Sequence, residues 1–252
     1  MIDVALAVGI RGIKKSFGNL AFVLPALMFP VIFFVGFAGA LSGVDQLPGF
    51  DYAPGYETFQ FGFVMLQSAA MAGVFTGFGI AQDFERGFSS RLMIAAPKRS
   101  GIVVGYAITT MVRWFFNTVV VFVIGLLMGM VILGNPLELF TLLILALLVS
   151  LIGTLWAAGV ALRLRSTQAG PIMQFPIFLL IFLAPVFVPI DLLTGWIHTV
   201  ASINPFTAFI EGARSLLAGS TEEVAVAFGI AIPLAVLAGF WALTGLRSAE
   251  RG

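Results

Sequence analysis

The chain has 252 residues, of which 60% are hydrophobic and only 10% charged, and its mean hydropathy is +1.08. Soluble domains carry about 25% charged residues, so this composition cannot build a water-facing surface and the chain belongs in lipid. A net charge of +1 with basic residues scattered over separate loops points away from nucleic acid, the lack of Cys excludes disulfides and thiolate chemistry, and a single His cannot form a multi-His metal site.

From the N-terminus, residues 1–18 place Ile2, Leu6, Ile10, Ile13 and Phe17 at three- and four-residue spacings, with Arg11, Lys14 and Lys15 elsewhere on the helical wheel. This periodicity predicts a basic amphipathic helix lying in the membrane interface; a frayed tail is the plainer alternative. Asp3 precedes the basic residues and no small-residue cleavage site follows an apolar core. The stretch therefore does not read as a secretory signal, and the first long apolar run is expected to be retained as an anchor. About 20 apolar residues cross a bilayer core. Six stretches are expected to do so: 20–40, 59–81, 102–133, 139–162, 171–190 and 224–246. Pro25 and Pro30 should bend the first and Pro233 the sixth. The second is rich in Gly, Ala and Ser, which suit close helix packing, and the third is unusually long and contains Arg113.

The loops fix an orientation. Arg11, Lys14, Lys15, Arg86, Arg91, Lys98, Arg99, Arg163, Arg165, Arg247 and Arg251 all fall on one side of such a six-span plan. The other side holds Asp45, Asp51, Glu57, Glu138, Asp191, Glu211, Glu222 and Glu223, with Arg214 its only basic residue. By the positive-inside rule both termini are cytoplasmic. On the far side, residues 42–58 read as a Gly/Pro/Asp loop and Gly134-Asn135-Pro136 as a tight turn. Residues 191–223 are too polar to span and too apolar to float free. They read as a helical hairpin, broken at Asn204-Pro205, that dips into the outer leaflet or caps the bundle. No internal repeat with a convincing period supports an inverted-repeat carrier.

Catalytic chemistry is mostly absent. No Gly-rich phosphate loop ending in Lys-Ser/Thr occurs, so ATP is not bound by that route. No pair of intramembrane carboxylates exists, which disfavours proton- or sodium-coupled transport. Arg113 is the one ionisable group inside a span. It either snorkels or pairs structurally, or it lies on a translocation path. The positive feature is the polar island 82–99, which carries Asp83, Glu85, Arg86, Arg91, Lys98 and Arg99 between two apolar runs. Asp83 and Glu85 are expected to begin a helix, where acids suit the positive end of the dipole. Phe84, Phe88 and Leu92 then line one face at i, i+4 and i+8, and Pro97 ends the segment. A charged helix with an apolar stripe is what a docking knob needs; an ordinary topology-setting loop is the plainer reading.

The order of two spans, Asp83-x-Glu85-Arg86-Gly87, Arg91-Leu92, Ala96-Pro97-x-Arg99 and a third span resembles the permease subunits of type 2 ABC exporters, the family of the daunorubicin-resistance permease. Asn204-Pro205 followed by Glu211-Gly-Ala-Arg214-Ser-Leu-Leu-Ala-Gly219 resembles that family's second signature. Phe88-Ser89-Ser90 departs from it, since the family commonly has a Thr and an acidic residue there.

The resemblance implies an all-α integral membrane protein: one permease domain over residues 1–252, with six transmembrane helices, the N-terminal amphipathic interfacial helix and the outer hairpin. It implies a bacterial or archaeal inner or plasma membrane and an export function. A separate cytoplasmic ATP-binding subunit, in two copies, would dock on Asp83, Phe84, Glu85, Arg86, Gly87, Phe88, Arg91, Leu92 and Pro97. A second permease subunit, identical or paralogous, completes the pathway. ATP and Mg belong to the partner, so this chain binds no cofactor and is not itself an enzyme. The outer hairpin would be organised by Asn204, Pro205, Glu211 and Arg214. For the cargo, 26 Phe against three Tyr leans toward a hydrophobic drug or a lipid rather than a glycan. An ATP-independent channel or carrier and a non-transporting scaffold are the rivals from other classes.

Overall fold

The structure is a computed structural model that describes residues 2–18, 20–95 and 100–251, and among these every regular element is helical. In chain order the helices are α1 Ile2–Phe17, α2 Leu20–Ala40, α3 Tyr56–Glu85, α4 Phe88–Ala95, α5 Ser100–Leu127, α6 Pro136–Leu164, α7 Gly170–Phe182, α8 Trp196–Ile203, α9 Pro205–Leu217 and α10 Val224–Arg251. Among the described residues, four helices are long and apolar enough to cross a membrane: α3, α5, α6 and α10; shorter apolar helices cover Leu27–Ala40 and Thr167–Phe182.

Two expected spans end early. The third was expected through residue 133, but α5 stops at Leu127. There Met130 N–H reaches Gly125 O, Gly129 N–H reaches Leu126 O, and Gly129 takes φ 91°. This is a Schellman cap, in which a left-handed glycine closes the helix. The fifth was expected through residue 190, but α7 ends at Phe182. At 1.5 Å per residue its 13 residues rise about 20 Å, short of the roughly 30 Å hydrocarbon core. Pro185 and Pro189 lack the N–H that continued helix requires, and the chain from 183 to 189 is irregular. By contrast, α2 and α10 run unbroken past Pro25 and Pro30 and past Pro233.

The helix α3 is the axis of the bundle: it is the most buried of the four long apolar helices, and α10 is the least. Small residues allow its neighbours to close on it. A Cβ on Gly153 of α6 would lie 2.7 Å from Ala70 O of α3, so only glycine fits this seam. At the next residue of α6 the seam is hydrogen-bonded. Thr154 donates to Thr110 Oγ1 and Thr110 to Thr76 Oγ1, each at 2.9 Å, tying α6, α5 and α3 together inside the bundle.

Helix α1 shows two faces. Ala5, Val8, Gly9 and Ser16 are buried, and a Cβ on Gly105 of α5 would lie 2.6 Å from Val8 Cβ, so α1 and α5 meet at backbone distance. Ile2, Leu6 and Ile10 of the expected apolar stripe are exposed, as a helix lying against lipid requires. On the other side of α3, the rings of Phe29, Phe33 and Phe37 on α2 meet Phe178, Phe182 and Phe187, with centroids 5.5, 6.2 and 4.6 Å apart.

The chain breaks at Asn204-Pro205, where expected. However, α9 does more than cap the bundle: Phe206, Phe209, Ile210, Ala213 and Leu216 are part of the main core. Only α8 is peripheral, with Trp196 and Ile203 more than two-thirds exposed.

Candidate functional site

The polar chemistry concentrates at the two ends of α3. At the first end, Asp83 is the hub. Arg11 of α1 donates to both its oxygens, Nη1 at 2.7 Å and Nη2 at 3.1 Å, and Lys15 Nζ donates at 2.8 Å. Tyr106 of α5 adds its hydroxyl at 3.3 Å. Lys15 also reaches Gly79 O at 3.2 Å. Burial pushes the Lys15 ammonium below the usual lysine range, and the Asp83 carboxylate opposes that shift. The Arg11 guanidinium sits 3.5 Å from the centre of the Phe88 ring.

Arg113 lies deeper in the same knot, where it is buried and donates to Ser16 Oγ of α1. Its Nη1 has no partner among the described residues, and it lines a cavity of about 20 Å³ with Lys15, Thr76, Asp83, Tyr106 and Thr109. That is room for one water molecule. Asp83 lines the same cavity but takes its direct cation partners from α1, 72 and 68 residues away in the chain.

The expected docking knob is therefore rearranged. Asp83 and Glu85 do not begin a helix; they close α3. Its macrodipole is negative there, so Asp83 is stabilised by the cations of α1 instead. Gly87, at φ 69°, then turns the chain into α4, which divides the Phe84, Phe88 and Leu92 stripe between two helices. Phe84 is buried, with Arg165 over its ring at 5.8 Å, and Leu92 packs on the same apolar cluster. The Glu85 carboxylate accepts from Thr167 N–H at 2.7 Å and from the Thr167 and Ser166 hydroxyls, so it ties the end of α3 to the α6–α7 connection. Glu85, Arg86 and Arg91 are the exposed residues among the described members of the set, and of these Glu85 is already bonded to Thr167. Pro97, Lys98 and Arg99 lie outside the described residues.

At the opposite end, Arg214 of α9 is the hub. It is buried, pairs with Glu211 at 2.8 Å, and donates to Phe59 O and Val186 O at 3.3 Å each. Its guanidinium lies 3.2 Å from the Phe59 ring centre, and Tyr52 donates to its carbonyl at 2.8 Å. Around it, Gln60 Nε2 reaches Val186 O at 3.1 Å and Tyr56 reaches Phe187 O at 3.1 Å. Asn204 caps α9 by accepting from Phe206 N–H at 2.9 Å, while its Nδ2 donates to Leu180 O at 2.7 Å. On the same side, Asn135 and Glu138 form a capping box on α6. Nothing in the sequence marked Arg214 as buried; only its isolation among acidic residues set it apart.

The fold and the two polar hubs define a helical membrane protein whose charged groups join helices to one another. Among the described residues, no group of His, Cys, Asp or Glu could hold a metal ion. Residues 5–218 match the ABC-2 type transporter family over most of the chain, so the protein belongs to that family and is a permease of the type 2 ABC class, a transport domain rather than a catalytic ATPase domain. No curated protein matches the sequence. Permeases of this family generally work in the membrane with an ATP-binding subunit.

Proposed function

We propose that the whole chain is one permease domain of an ATP-driven exporter, with six crossings formed by α2, α3, α5, α6, α7 with its irregular extension, and α10. The helices α1 and α4 lie on the cytoplasmic side, both termini are cytoplasmic, and two permease subunits pair above two copies of an ATP-binding subunit. ATP and Mg bind that partner. The membrane is the inner or plasma membrane of a bacterium or archaeon, and the cargo is a hydrophobic drug, a lipid or a lipid-linked molecule.

The Asp83 hub carries this reading. It holds α1, α3 and α5 in one ion-paired knot directly beside the Gly87 elbow. A push on the exposed Arg86 and Arg91 therefore reaches three helices at once, and docking falls to the outward side of the elbow and α4 rather than to the buried Phe84 and Leu92. Closure of the ATP-binding subunits would bias the helix packing toward an outward-open state.

The test is reconstitution with a cytoplasmic ABC ATP-binding subunit encoded beside this chain. Cargo efflux should require hydrolysable ATP, and Arg86→Ala/Arg91→Ala should weaken subunit docking or uncouple ATP hydrolysis from efflux. Efflux that proceeds without nucleotide would overturn the proposal.

A further inference from the structure

The α6, α7 and α10 side of the bundle carries a groove of about 410 Å³ whose walls include Trp156, Ile177, Leu180, Leu237, Ala238 and Trp241. The lining is apolar apart from the two indole N–H groups, and both are already used. Trp156 Nε1 donates to Met173 O at 3.1 Å and Trp241 Nε1 to Trp156 O at 3.2 Å. Nothing in the groove could orient a polar molecule. Leu180 and Leu237 are exposed, so the groove opens laterally, toward the acyl chains of a bilayer. On α10 it runs from Leu234 to Trp241, a rise of about 10 Å, within the roughly 15 Å depth of one leaflet's hydrocarbon.

One end of this groove is charged. The two indoles stack with centroids 5.6 Å apart, and the Arg163 guanidinium lies 3.5 Å from the Trp241 ring centre. Trp156 and Arg163 are seven residues apart on α6, two turns along the same face, and the Arg163 side chain turns back one turn to Gly159 O, so that its guanidinium closes the end of the indole stack. Arg163 is fixed by bonds to Gly159 O, Trp241 O and Thr244 Oγ1 at 2.7, 3.1 and 2.7 Å. The site is built for it: a Cβ on Gly245 would lie 2.6 Å from Arg163 Nη1. All three fixed acceptors are neutral, and among the described residues no carboxylate pairs with Arg163. Its charge is thus held in place at the mouth of an apolar groove, with no carboxylate partner among the described residues.

We propose that this groove is a binding site for an anionic phospholipid, with one acyl chain along Trp156, Ile177 and Leu237 and the phosphate at Arg163. The lipid is drawn from the leaflet on the Arg163 side. Its phosphate supplies a negative charge that no described carboxylate gives Arg163, and its acyl chain fills the space between the short helix α7 and its neighbours. The site is separate from the α1–α3–α5 knot and from the docking elbow, and it makes no assumption about cargo.

The test uses the full chain in vesicles, with Trp114→Phe and Trp196→Phe leaving Trp156 and Trp241 as the only tryptophans. The probes are phosphatidylglycerol and phosphatidylcholine carrying brominated acyl chains, which quench indole fluorescence on contact. Brominated phosphatidylglycerol should quench at about a fivefold lower mole fraction than phosphatidylcholine, which is what one arginine near a charged headgroup is worth. Arg163→Gln should bring the two curves together. Ala238→Phe and, on the exposed wall, Leu237→Trp read out by displacement of a spin-labelled phosphatidylglycerol, should lower occupancy for either headgroup. Coincident curves for the two lipids in the unsubstituted groove would overturn the anionic assignment. Undiminished contact in both groove-filling variants would overturn the site itself.

Discussion

Replacing Asp83 by Asn keeps the shape of the side chain and removes the negative charge that faces Arg11 and Lys15. Removing one partner of a buried ion pair costs about 3–5 kcal/mol. The Asp83 side chain is 3% exposed, but that of Arg11 is 36% exposed and can turn toward water, whereas that of Lys15 is 20% exposed. With that screening the loss should be about 2–3 kcal/mol, carried mostly by Lys15. It falls on the docking of α1, so the population with α1 detached should rise roughly 30- to 150-fold. Hydrogen–deuterium exchange of the α1 amides reads this directly, with the α9 amides at the far end of the bundle as internal control. Lys15→Met combined with Asp83→Asn should recover part of the protection, because the stranded charge is then gone. Exchange in α1 that changes less than twofold in Asp83→Asn, or a double variant no better protected than the single one, would refute the reasoning.

Three further outcomes follow from the packing. Arg214→Lys should cost about 3 kcal/mol and lower Tm well below that of Glu211→Gln, because an ammonium cannot serve Phe59 O, Val186 O and Glu211 together as the planar guanidinium does; equal Tm values for the two variants would show that the carbonyl bonds contribute nothing. Gly153→Ala should lose about 1–3 kcal/mol, since the new methyl meets the Ala70 carbonyl. Gly36→Ala, with open space around it, serves as the control in the same thermal melt. Asn204→Ala should raise amide exchange in the first turn of α9, with about 1 kcal/mol from the lost cap, and also free the Leu180 carbonyl.

The sequence revealed the all-helical class, the α3, α5, α6 and α10 spans and the Asn204-Pro205 break, because apolar run length and Pro position are local quantities. Other features depend on distant partners. Acids followed by basic residues read as a helix start, but the same composition serves a helix end when the compensating cations arrive from 72 residues away, as Arg11 does. The elbow at Gly87 was quoted as a motif residue, yet its positive φ is what separates Phe84 from Phe88. Gly129 stands in an apolar Leu-Met-Gly-Met run inside the expected third span; the Met130–Gly125 bond identifies it as a cap. Pro185 and Pro189 were visible, but averaging hydropathy over a span-length window dilutes two prolines among Phe, Val and Ile. The family resemblance proved sound for the class, while it gave no sign that Asp83, Phe84 and Leu92 face inward.

The stretch after α7 has a consequence for how the Arg214 end of the bundle moves. Backbone that leaves a helix inside a membrane must find hydrogen-bond donors elsewhere. Here they are borrowed: Val186 O is served by Gln60 and Arg214, and Phe187 O by Tyr56. The donors sit on α3 and α9, so these two carbonyls of the unwound segment depend on the neighbouring helices. Any stroke that slides α9 along α3 withdraws a donor from α7 and exposes its carbonyl to hydrocarbon. The three elements are thus geared together, and a displacement begun at α9 must either carry the segment after α7 with it or strand a buried peptide group.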